Sequence, residues 1–188
     1  MRIIKHFLLS LIALLLLPCC DDTEYEYASL RAYFHFSPVT AAPKTLYPAL
    51  TSPGQWCSVS VNATSFIFKA MDGQTDTYPI NAVDQYHSRI WVSGLLIGTP
   101  SVLPIGSTDF APICYDLVCP NCRENDAVTR ALRLGEAGTD YAECTRCQRR
   151  YGLNEQGMVT AGAVEHERNI SLYRYRCSYA NNTFVVQN

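Results

Sequence analysis

The hydrophobic pattern divides the chain into an apolar leader and a long region of short alternating segments. A predominantly apolar run extends from Phe7 to Leu17, and no later window of ten residues has apolar positions at helical spacing. Beyond residue 30, apolar and polar residues instead alternate over short stretches that end at Gly, Pro, Asn or Asp. We therefore predict an all-β domain of short strands with little helix.

Individual strands follow from this alternation. Arg31–Phe36 predicts the first strand, whereas the Pro-rich segment Ser37–Pro48 predicts a loop or an edge, because proline cannot continue a helix or a central strand. Met71–Gln74 predicts a turn between two strands. Further strand-like segments are Cys57–Phe68, Arg89–Gly98, Phe110–Val118, Val128–Leu134, Tyr141–Glu143, Leu172–Cys177 and Asn182–Gln187.

The apolar leader predicts export and a lipid anchor. The basic residues Arg2 and Lys5 lie just before the run, as is typical of a signal peptide. The run itself is too short for a stable membrane-spanning helix but has the length of a signal-peptide core. The run ends in PCCDD, Pro18–Asp22, where a cysteine followed by acidic residues is typical of a bacterial lipoprotein signal. The residue before a lipidated cysteine is normally small. Cys19, which precedes Cys20, fits this preference better than Pro18, which precedes Cys19, so we predict lipidation at Cys20, with Cys19 as the alternative. A cleaved secretory signal without lipid is the other interpretation.

Removal of the predicted signal, residues 1–19, leaves a domain of ordinary size. About 169 residues remain, in which the acidic and polar stretch 20–30 predicts a tether and 31–188 a single domain. Thirteen Lys and Arg then face seventeen Asp and Glu, a net charge of −4, which argues against nucleic acid as a partner. We predict a cell-envelope protein held by lipid in the outer membrane of a Gram-negative bacterium, on either face. No residue pattern identifies a protein partner.

Two cysteine pairs have the spacing of metal ligands. Cys119 and Cys122, and again Cys144 and Cys147, form CxxC pairs that 21 residues separate. In such a pair the backbone turns so that both sulfurs point at one centre, and two pairs supply the four ligands of a tetrahedral site. Both pairs follow strand-like segments, so we expect them at the tips of two facing β-hairpins, within metal-binding loops spanning 114–153. Basic residues near the pairs favour thiolates and are Arg123, Arg146, Arg149 and Arg150.

The residue types at these pairs rank the functional alternatives. Four thiolates without imidazole fit structural zinc best, and a single iron or a [2Fe-2S] cluster in an electron carrier is the alternative. Two disulfides among these four cysteines would also suit an exported protein. Disulfides do not require cysteines at CxxC spacing, however, whereas a set of metal ligands does. A thiol–disulfide redox protein is less favoured, because it needs a CxxC pair at a helix N-terminus and neither pair precedes a predicted helix. No catalytic residue set is recognisable, so we predict no enzymatic activity.

The order of segments around the cysteine pairs points to a known fold. CYDLVCP (Cys114–Pro120) has the form of a strand leading into a first ligand loop, ECTRCQRRYGL (Glu143–Leu153) that of a second loop and its strand, and NEQGMVTAG (Asn154–Gly162) that of a glycine-bearing turn. Together with LYRYR and TFVV near the C-terminus, they resemble the Rieske iron–sulfur fold, as in Rieske-like lipoproteins of Bacteroidota, over about residues 90–188. The resemblance implies a small β-sandwich with a two-hairpin subdomain of rubredoxin or zinc-ribbon type.

The ligand positions depart from the Rieske pattern of two cysteines and two histidines. Cys119 and Cys144 match the family's cysteine ligands, whereas Asn121 and Cys147 stand where its histidines belong. The resemblance therefore implies a four-cysteine set, with Cys122 as the remaining sulfur. The four histidines of the chain lie outside both pairs and are predicted to be surface or packing residues: His6, His35, His87 and His166.

Three further cysteines lie outside the lipid site and the CxxC pairs. A Rieske-like fold would bring the strands of Cys114 and Cys177 close together, which suggests a disulfide between them. Cys57 is able to replace either partner or to serve as a small buried apolar residue. The sequence does not choose among these pairings.

Overall fold

The computed structural model describes residues 26–81, 90–103, 108–165 and 167–188. Within these residues the chain is mostly β with two short α-helices, which confirms the predicted all-β fold of low helix content. The helices are α1 (Leu46–Thr51) and α2 (Pro120–Asp126), and Val39–Ala41 forms a 3-10 turn. The strands are β1 (Tyr33–Phe36), β2 (Gln55–Val61), β3 (Ser65–Ala70), β4 (Thr75–Pro79), β5 (Leu95–Thr99), β6 (Ile113–Asp116), β7 (Arg133–Leu134), β8 (Tyr141–Glu143), β9 (Arg150–Gly152), β10 (Val159–Ala161), β11 (Arg174–Tyr175), β12 (Cys177–Ala180) and β13 (Thr183–Gln187).

The strands form three antiparallel sheets. A six-stranded sheet has the order β11-β6-β5-β2-β3-β4, a three-stranded sheet the order β1-β13-β12, and a four-stranded sheet the order β10-β9-β8-β7. The segment predicted as one strand from Cys57 is a hairpin of β2 and β3. Asn62 turns the chain there, because its side-chain oxygen accepts hydrogen bonds from the backbone N–H groups of Thr64 and Ser65.

Helix α1 corrects the prediction that Ser37–Pro48 is only a loop or an edge. Pro48 is the third residue of the helix, where its missing N–H costs no intrahelical hydrogen bond. Leu46 and Leu50 are buried, and the hydroxyl of Thr99 donates to the carbonyl of Ala49 at 2.9 Å. Packing against the sheet thus stabilises a helix that is too short to show an apolar stripe in the sequence.

The first core lies between the six-stranded and three-stranded sheets. It is dominated by phenylalanines from β1, β3 and β13, which pack ring against ring. The centroids of Phe36 and Phe68 lie 4.8 Å apart, and those of Phe34 and Phe66 lie 5.4 Å apart. Rings at these separations combine large buried apolar area with favourable ring geometry, so this core is held by apolar burial.

The second core lies on the opposite face of the six-stranded sheet. Side chains alternate across β5 and β6, so Leu96 and Tyr115 face the second core, whereas Ile97 and Cys114 face the first. The four-stranded sheet supplies Ala142 and other buried residues to the second core. All five residues of β5 are consequently buried, and the six-stranded sheet separates the two cores.

Residues 26–30, the described part of the predicted tether, contact the domain. Glu26 forms an ion pair with Arg174 at 2.9 Å, and the ring of Tyr27 lies under the guanidinium groups of Arg174 and Arg176, at 5.4 and 4.6 Å. The backbone N–H of Ala28 donates to the carbonyl of Arg174 at 2.9 Å. The contacts of the domain therefore begin before residue 31.

Several predictions concern residues outside the described part of the chain. They are the signal peptide at 1–19, the lipid site at Cys20 or Cys19, and His6, His87 and His166. Among the residues that the structure describes, no helix is long and apolar enough to cross a membrane.

Candidate metal centre

The four cysteines of the CxxC pairs come together in the structure. Their sulfur atoms all lie within 4.8 Å of one another. Cys119 Sγ lies 3.7 Å from Cys147 Sγ, and Cys122 Sγ lies 3.6 Å from Cys144 Sγ, so each of these contacts joins the two pairs. Such a cluster is able to bind a metal ion, and within the described ranges it is the one group of three or more His, Cys, Asp or Glu side chains with this arrangement.

The first pair lies at the start of helix α2 and not at a hairpin tip, which corrects the expectation of two facing hairpins. Cys119 immediately precedes the helix and Cys122 belongs to its first turn. Pro120 suits the first helical position because its fixed φ and missing N–H cost nothing there. Ala127 ends the helix with a left-handed φ of 55°. The prediction that neither CxxC pair precedes a helix was therefore wrong.

The second pair lies in the turn between β8 and β9, as predicted. The N–H of Cys144 donates to the carbonyl of Arg149 at 2.9 Å, and the N–H of Gln148 donates to the carbonyl of Cys144 at 2.9 Å. Gln148 has a left-handed φ of 60°, which tightens the turn. The N–H of Arg149 also bonds the sulfur of Cys147, so the backbone itself orients this ligand.

The thiols of the cluster differ in pKa because their surroundings differ. Burial raises the pKa of Cys119 to about 11, against hydrogen bonds from Tyr151 and from the N–H of Cys122, and burial also raises the pKa of Cys122. Burial opposes ionisation of Cys147 too, but hydrogen bonds from the N–H and guanidinium of Arg149 lower its pKa to about 7. Metal binding near pH 7 would therefore displace protons from Cys119 and Cys122, whereas Cys147 is already about half ionised at that pH.

Asn121 and Tyr151 form a hydrogen-bonded support for Cys119. The hydroxyl of Tyr151 lies 3.0 Å from Cys119 Sγ, and the side-chain amide of Asn121 donates to the Tyr151 oxygen at 2.9 Å. Asn121 also exchanges two hydrogen bonds with the backbone of Ile170, at 2.9 and 3.0 Å. The residue at the position of the first Rieske histidine therefore orients its neighbours and is no part of the sulfur cluster. No sequence motif indicated this role for Tyr151.

One of the four predicted basic residues contacts the sulfur cluster. Arg149 is 3% exposed, and besides Cys147 it bonds the carboxylate of Glu167 and, at 3.2 Å, the side-chain oxygen of Asn169. This buried charge compensates part of the negative charge that four thiolates create. The other three pair with carboxylates at the surface: Arg123 with Glu124 at 3.7 Å, Arg146 with Asp126 at 3.4 Å and Arg150 with Glu143 at 3.5 Å.

Asp116 is a buried carboxylate that no sequence motif indicated. It accepts hydrogen bonds from the N–H groups of Val92, Ser93 and Val118, at 2.7, 3.2 and 2.8 Å, and from the Tyr175 hydroxyl at 3.0 Å. Burial raises the pKa of the carboxyl, and these four donors oppose that shift by stabilising its charged form. The carboxylate thereby holds the end of β6, three residues before Cys119.

The three described cysteines outside the cluster are free thiols in the structure. Cys57 and Cys114 both pair across their strands with Ile97 of β5 and are buried in the first core. Cys177, half-buried, donates to the carbonyl of Pro112 at 3.3 Å, and burial raises its pKa to about 12. The disulfide between Cys114 and Cys177 stays a prediction. His35 lies in β1 and is no part of the cysteine cluster.

Comparison with known proteins yields no relative. No protein-family model matches the chain, and neither curated proteins nor solved structures include a match. The resemblance to the Rieske fold therefore rests on the order of motifs in the sequence. It supplies no family for this chain.

Proposed function

We propose that this chain is a membrane-anchored envelope lipoprotein whose domain binds one metal ion, structural zinc, through Cys119, Cys122, Cys144 and Cys147. The observation that carries the proposal is the separation of the sulfurs. A tetrahedral metal with bonds of about 2.3 Å to sulfur requires sulfurs about 3.8 Å apart. The contacts of 3.6 and 3.7 Å between the two pairs come close to that value.

The same distances favour a mononuclear centre over a [2Fe-2S] cluster. In such a cluster two bridging sulfides separate the irons, so cysteine sulfurs bound to different irons lie far apart. Here no two of the four sulfurs lie more than 4.8 Å apart. A single ion between the four sulfurs fits this arrangement better.

The closed site favours structural zinc over catalytic zinc. Four cysteine sulfurs complete a tetrahedral shell and leave no open position, which is typical of structural zinc sites and not of catalytic ones. This agrees with the lack of a recognisable catalytic residue set, so we propose a role in stability and not in catalysis. When bound, the ion would join helix α2 to the β8–β9 turn.

A single iron in an electron carrier is the second candidate. Hydrogen bonds to cysteine sulfurs influence the reduction potential of iron centres. Two of the sulfurs receive such bonds, Cys119 from Tyr151 and Cys147 from Arg149. These contacts suit an iron centre as well as a zinc site, so only the bound metal distinguishes the two candidates.

Metal analysis of protein purified without oxygen tests the proposal. We expect one zinc per chain and no visible colour, whereas bound iron with visible absorbance would establish the electron carrier. Cys147→Ser should lower the metal content, and the matched control Cys57→Ser should retain it. Both candidates would be refuted if the purified protein contained no metal and its four cysteine thiols titrated only after reduction.

The membrane anchor requires its own experiment. We expect Cys20 to carry the lipid, with Cys19 as the alternative, and incorporation of labelled fatty acid to be lost in Cys20→Ser but kept in Cys19→Ser. Reversed results would move the lipid to Cys19. Incorporation in neither the parent protein nor the variants would leave a secreted protein without lipid and would not affect the metal proposal.

A further inference from the structure

A cavity lies directly beside the sulfur cluster. Its volume is about 240 Å³, and Cys122 and Cys147 both line it. Helix α2 contributes Asn125 on one side, and the segment after β10 contributes Val164 on another. Both of these wall residues are exposed, so the cavity connects the sulfurs with solvent.

The four sulfurs differ in their access to this cavity. Cys119, Cys122 and Cys144 are at most 1% exposed, whereas Cys147 is partly exposed. A ligand that arrives from solvent therefore meets Cys147 first. The ion pair of the buried Arg149 with the exposed Glu167 forms another part of the wall and holds the segment after β10 against the β8–β9 turn.

We propose that this cavity is the route by which the metal is exchanged, with Cys147 as the first ligand to leave. The inference rests on the proposed function, since it requires a metal at the four cysteines. An incoming nitrogen or thiolate donor would replace Cys147 as a ligand. The bond to Cys147 Sγ would break as the new bond forms, and the sulfur would keep the electron pair as a thiolate. No atom is oxidised or reduced.

The size and lining of the cavity indicate the class of ligand that exchanges the metal. Sites for drug-sized molecules measure about 300–1,000 Å³, so a cavity of about 240 Å³ suits a small thiol or a compact chelator. The metal would therefore be exchanged with a small molecule and not with a protein loop that enters the site.

Filling the cavity tests this route. The probe is the chromogenic chelator 4-(2-pyridylazo)resorcinol, whose absorbance follows zinc release from the loaded protein. We expect Val164→Trp and Asn125→Trp, which narrow the cavity from different walls, to slow release and uptake alike by about tenfold, so that the dissociation constant is unchanged. Met158→Trp is the matched control, because Met158 is 52% exposed and is no part of the cavity wall. Its release rate should equal that of the parent protein.

The outcomes separate this inference from the proposal on which it rests. Release at the parent rate in both wall variants, as folded proteins with one zinc per chain, would overturn the exchange route. Equal slowing in Met158→Trp would also overturn it, because the effect would not depend on the cavity. A parent protein that binds no metal would instead contradict the proposed function. Circular dichroism and zinc content establish beforehand that each variant is folded and loaded.

Discussion

The two cores of this protein differ in the types of their buried residues and in the lengths of the strands around them. The first joins strands that, apart from the two-residue β11, have four to seven residues, through buried phenylalanines such as Phe34, Phe36 and Phe68. The second is bordered by strands β7 to β10, which have only two or three residues each, and three of the four clustered cysteines are among its buried residues. The first region therefore buries a large apolar area, whereas the second region has few backbone hydrogen bonds between its strands.

This difference shows why a metal would matter in only one half of the molecule. Short hairpins are marginal in water, and small regions with little core usually need a disulfide or a metal to fold. The binding free energy of a structural metal contributes directly to folding, because the unfolded chain has no preformed site. We therefore expect the two regions to respond differently to the following changes.

Metal removal should have the largest effect. Chelation, or the variant Cys144→Ser, should abolish the protection of β8 and β9 amides from hydrogen exchange while β2 and β3 stay protected. Structural zinc contributes roughly 10 kcal/mol or more in small zinc domains, so this loss should unfold the second region. Cys57→Ser, in the first core, should keep the protection of β8 and β9. Equal loss of protection in β2 and β8 would show that the regions are not independent.

Phe68→Ala should weaken the first region instead. Removal of a fully buried phenylalanine ring costs about 3–5 kcal/mol, which denaturant titration of the metal-loaded protein would measure as a lower free energy of unfolding. The metal content under native conditions should stay at one ion per chain. Val61→Ala is the control, because Val61 is 37% exposed and should change the free energy by less than about 0.5 kcal/mol. A loss of metal in Phe68→Ala would contradict the separation of the two regions.

Asp116→Asn should affect both regions. Its carboxylate accepts four hydrogen bonds near the end of β6, and an amide has only one oxygen to replace two. We expect a loss of about 1–3 kcal/mol in the free energy of unfolding, together with faster hydrogen exchange at Val92 and Val118. Asp109→Asn, at an exposed position, is the matched control and should be neutral. Neutral behaviour of Asp116→Asn would show that its hydrogen bonds add little to stability.

Tyr151→Phe should change the metal centre alone. The variant removes the hydroxyl that bonds Cys119 and Asn121 but keeps the buried ring. Loss of such a supporting contact lowers metal affinity by about tenfold to a hundredfold, which competition with a chelator would measure. The half-buried Tyr141 provides the control, and Tyr141→Phe should retain the parent affinity. An unchanged affinity in Tyr151→Phe would mean that the hydrogen bond contributes nothing to ligand strength.

A lower pH should weaken metal binding further, through Cys147. Above about pH 7 this thiol is already ionised, so its sulfur binds metal without releasing a proton. Below that pH it is protonated, and each binding event must displace one more proton, which adds about a tenfold loss of affinity per pH unit. Competition titrations between pH 6 and 8 would reveal the steeper slope on the acid side. A constant slope across pH 7 would contradict the lowered pKa.

Local patterns in the sequence predicted one half of the metal centre and missed the structure of the other. The turn that carries Cys144 and Cys147 lies between alternating segments, so its hairpin was predictable. Helix α2 has seven residues and ends at Ala127 without a glycine, so it shows neither an apolar stripe nor a usual stop signal. A proline directly after the first cysteine of a CxxC pair, as Pro120 follows Cys119, nevertheless suits a helix start.

The supporting residues could not be predicted because their roles depend on distant contacts. Arg149 appears in the sequence as one of several basic residues, and its burial follows from the segment around Glu167 that covers it. Asp116 acquires three of its four partners, Val92, Ser93 and Tyr175, from segments more than twenty residues away along the chain. The pairing of β1 with β13 likewise joins the two ends of the domain. None of these contacts has a local signature.

If the chain carries a lipid at Cys20, the contacts of Glu26 and Tyr27 with the domain would limit the distance between the domain and the membrane. On the proposed lipid attachment at Cys20, six Cα–Cα steps separate the lipid from Glu26, and they span at most about 22 Å. The segment that binds Tyr27, around Arg174, also contacts helix α2 through Tyr173, whose hydroxyl bonds Glu124. A protein bound by lipid at Cys20 would therefore hold this face of the domain near the membrane through a short segment, and the contacts of Glu26 and Tyr27 would keep the domain from extending farther from the lipid.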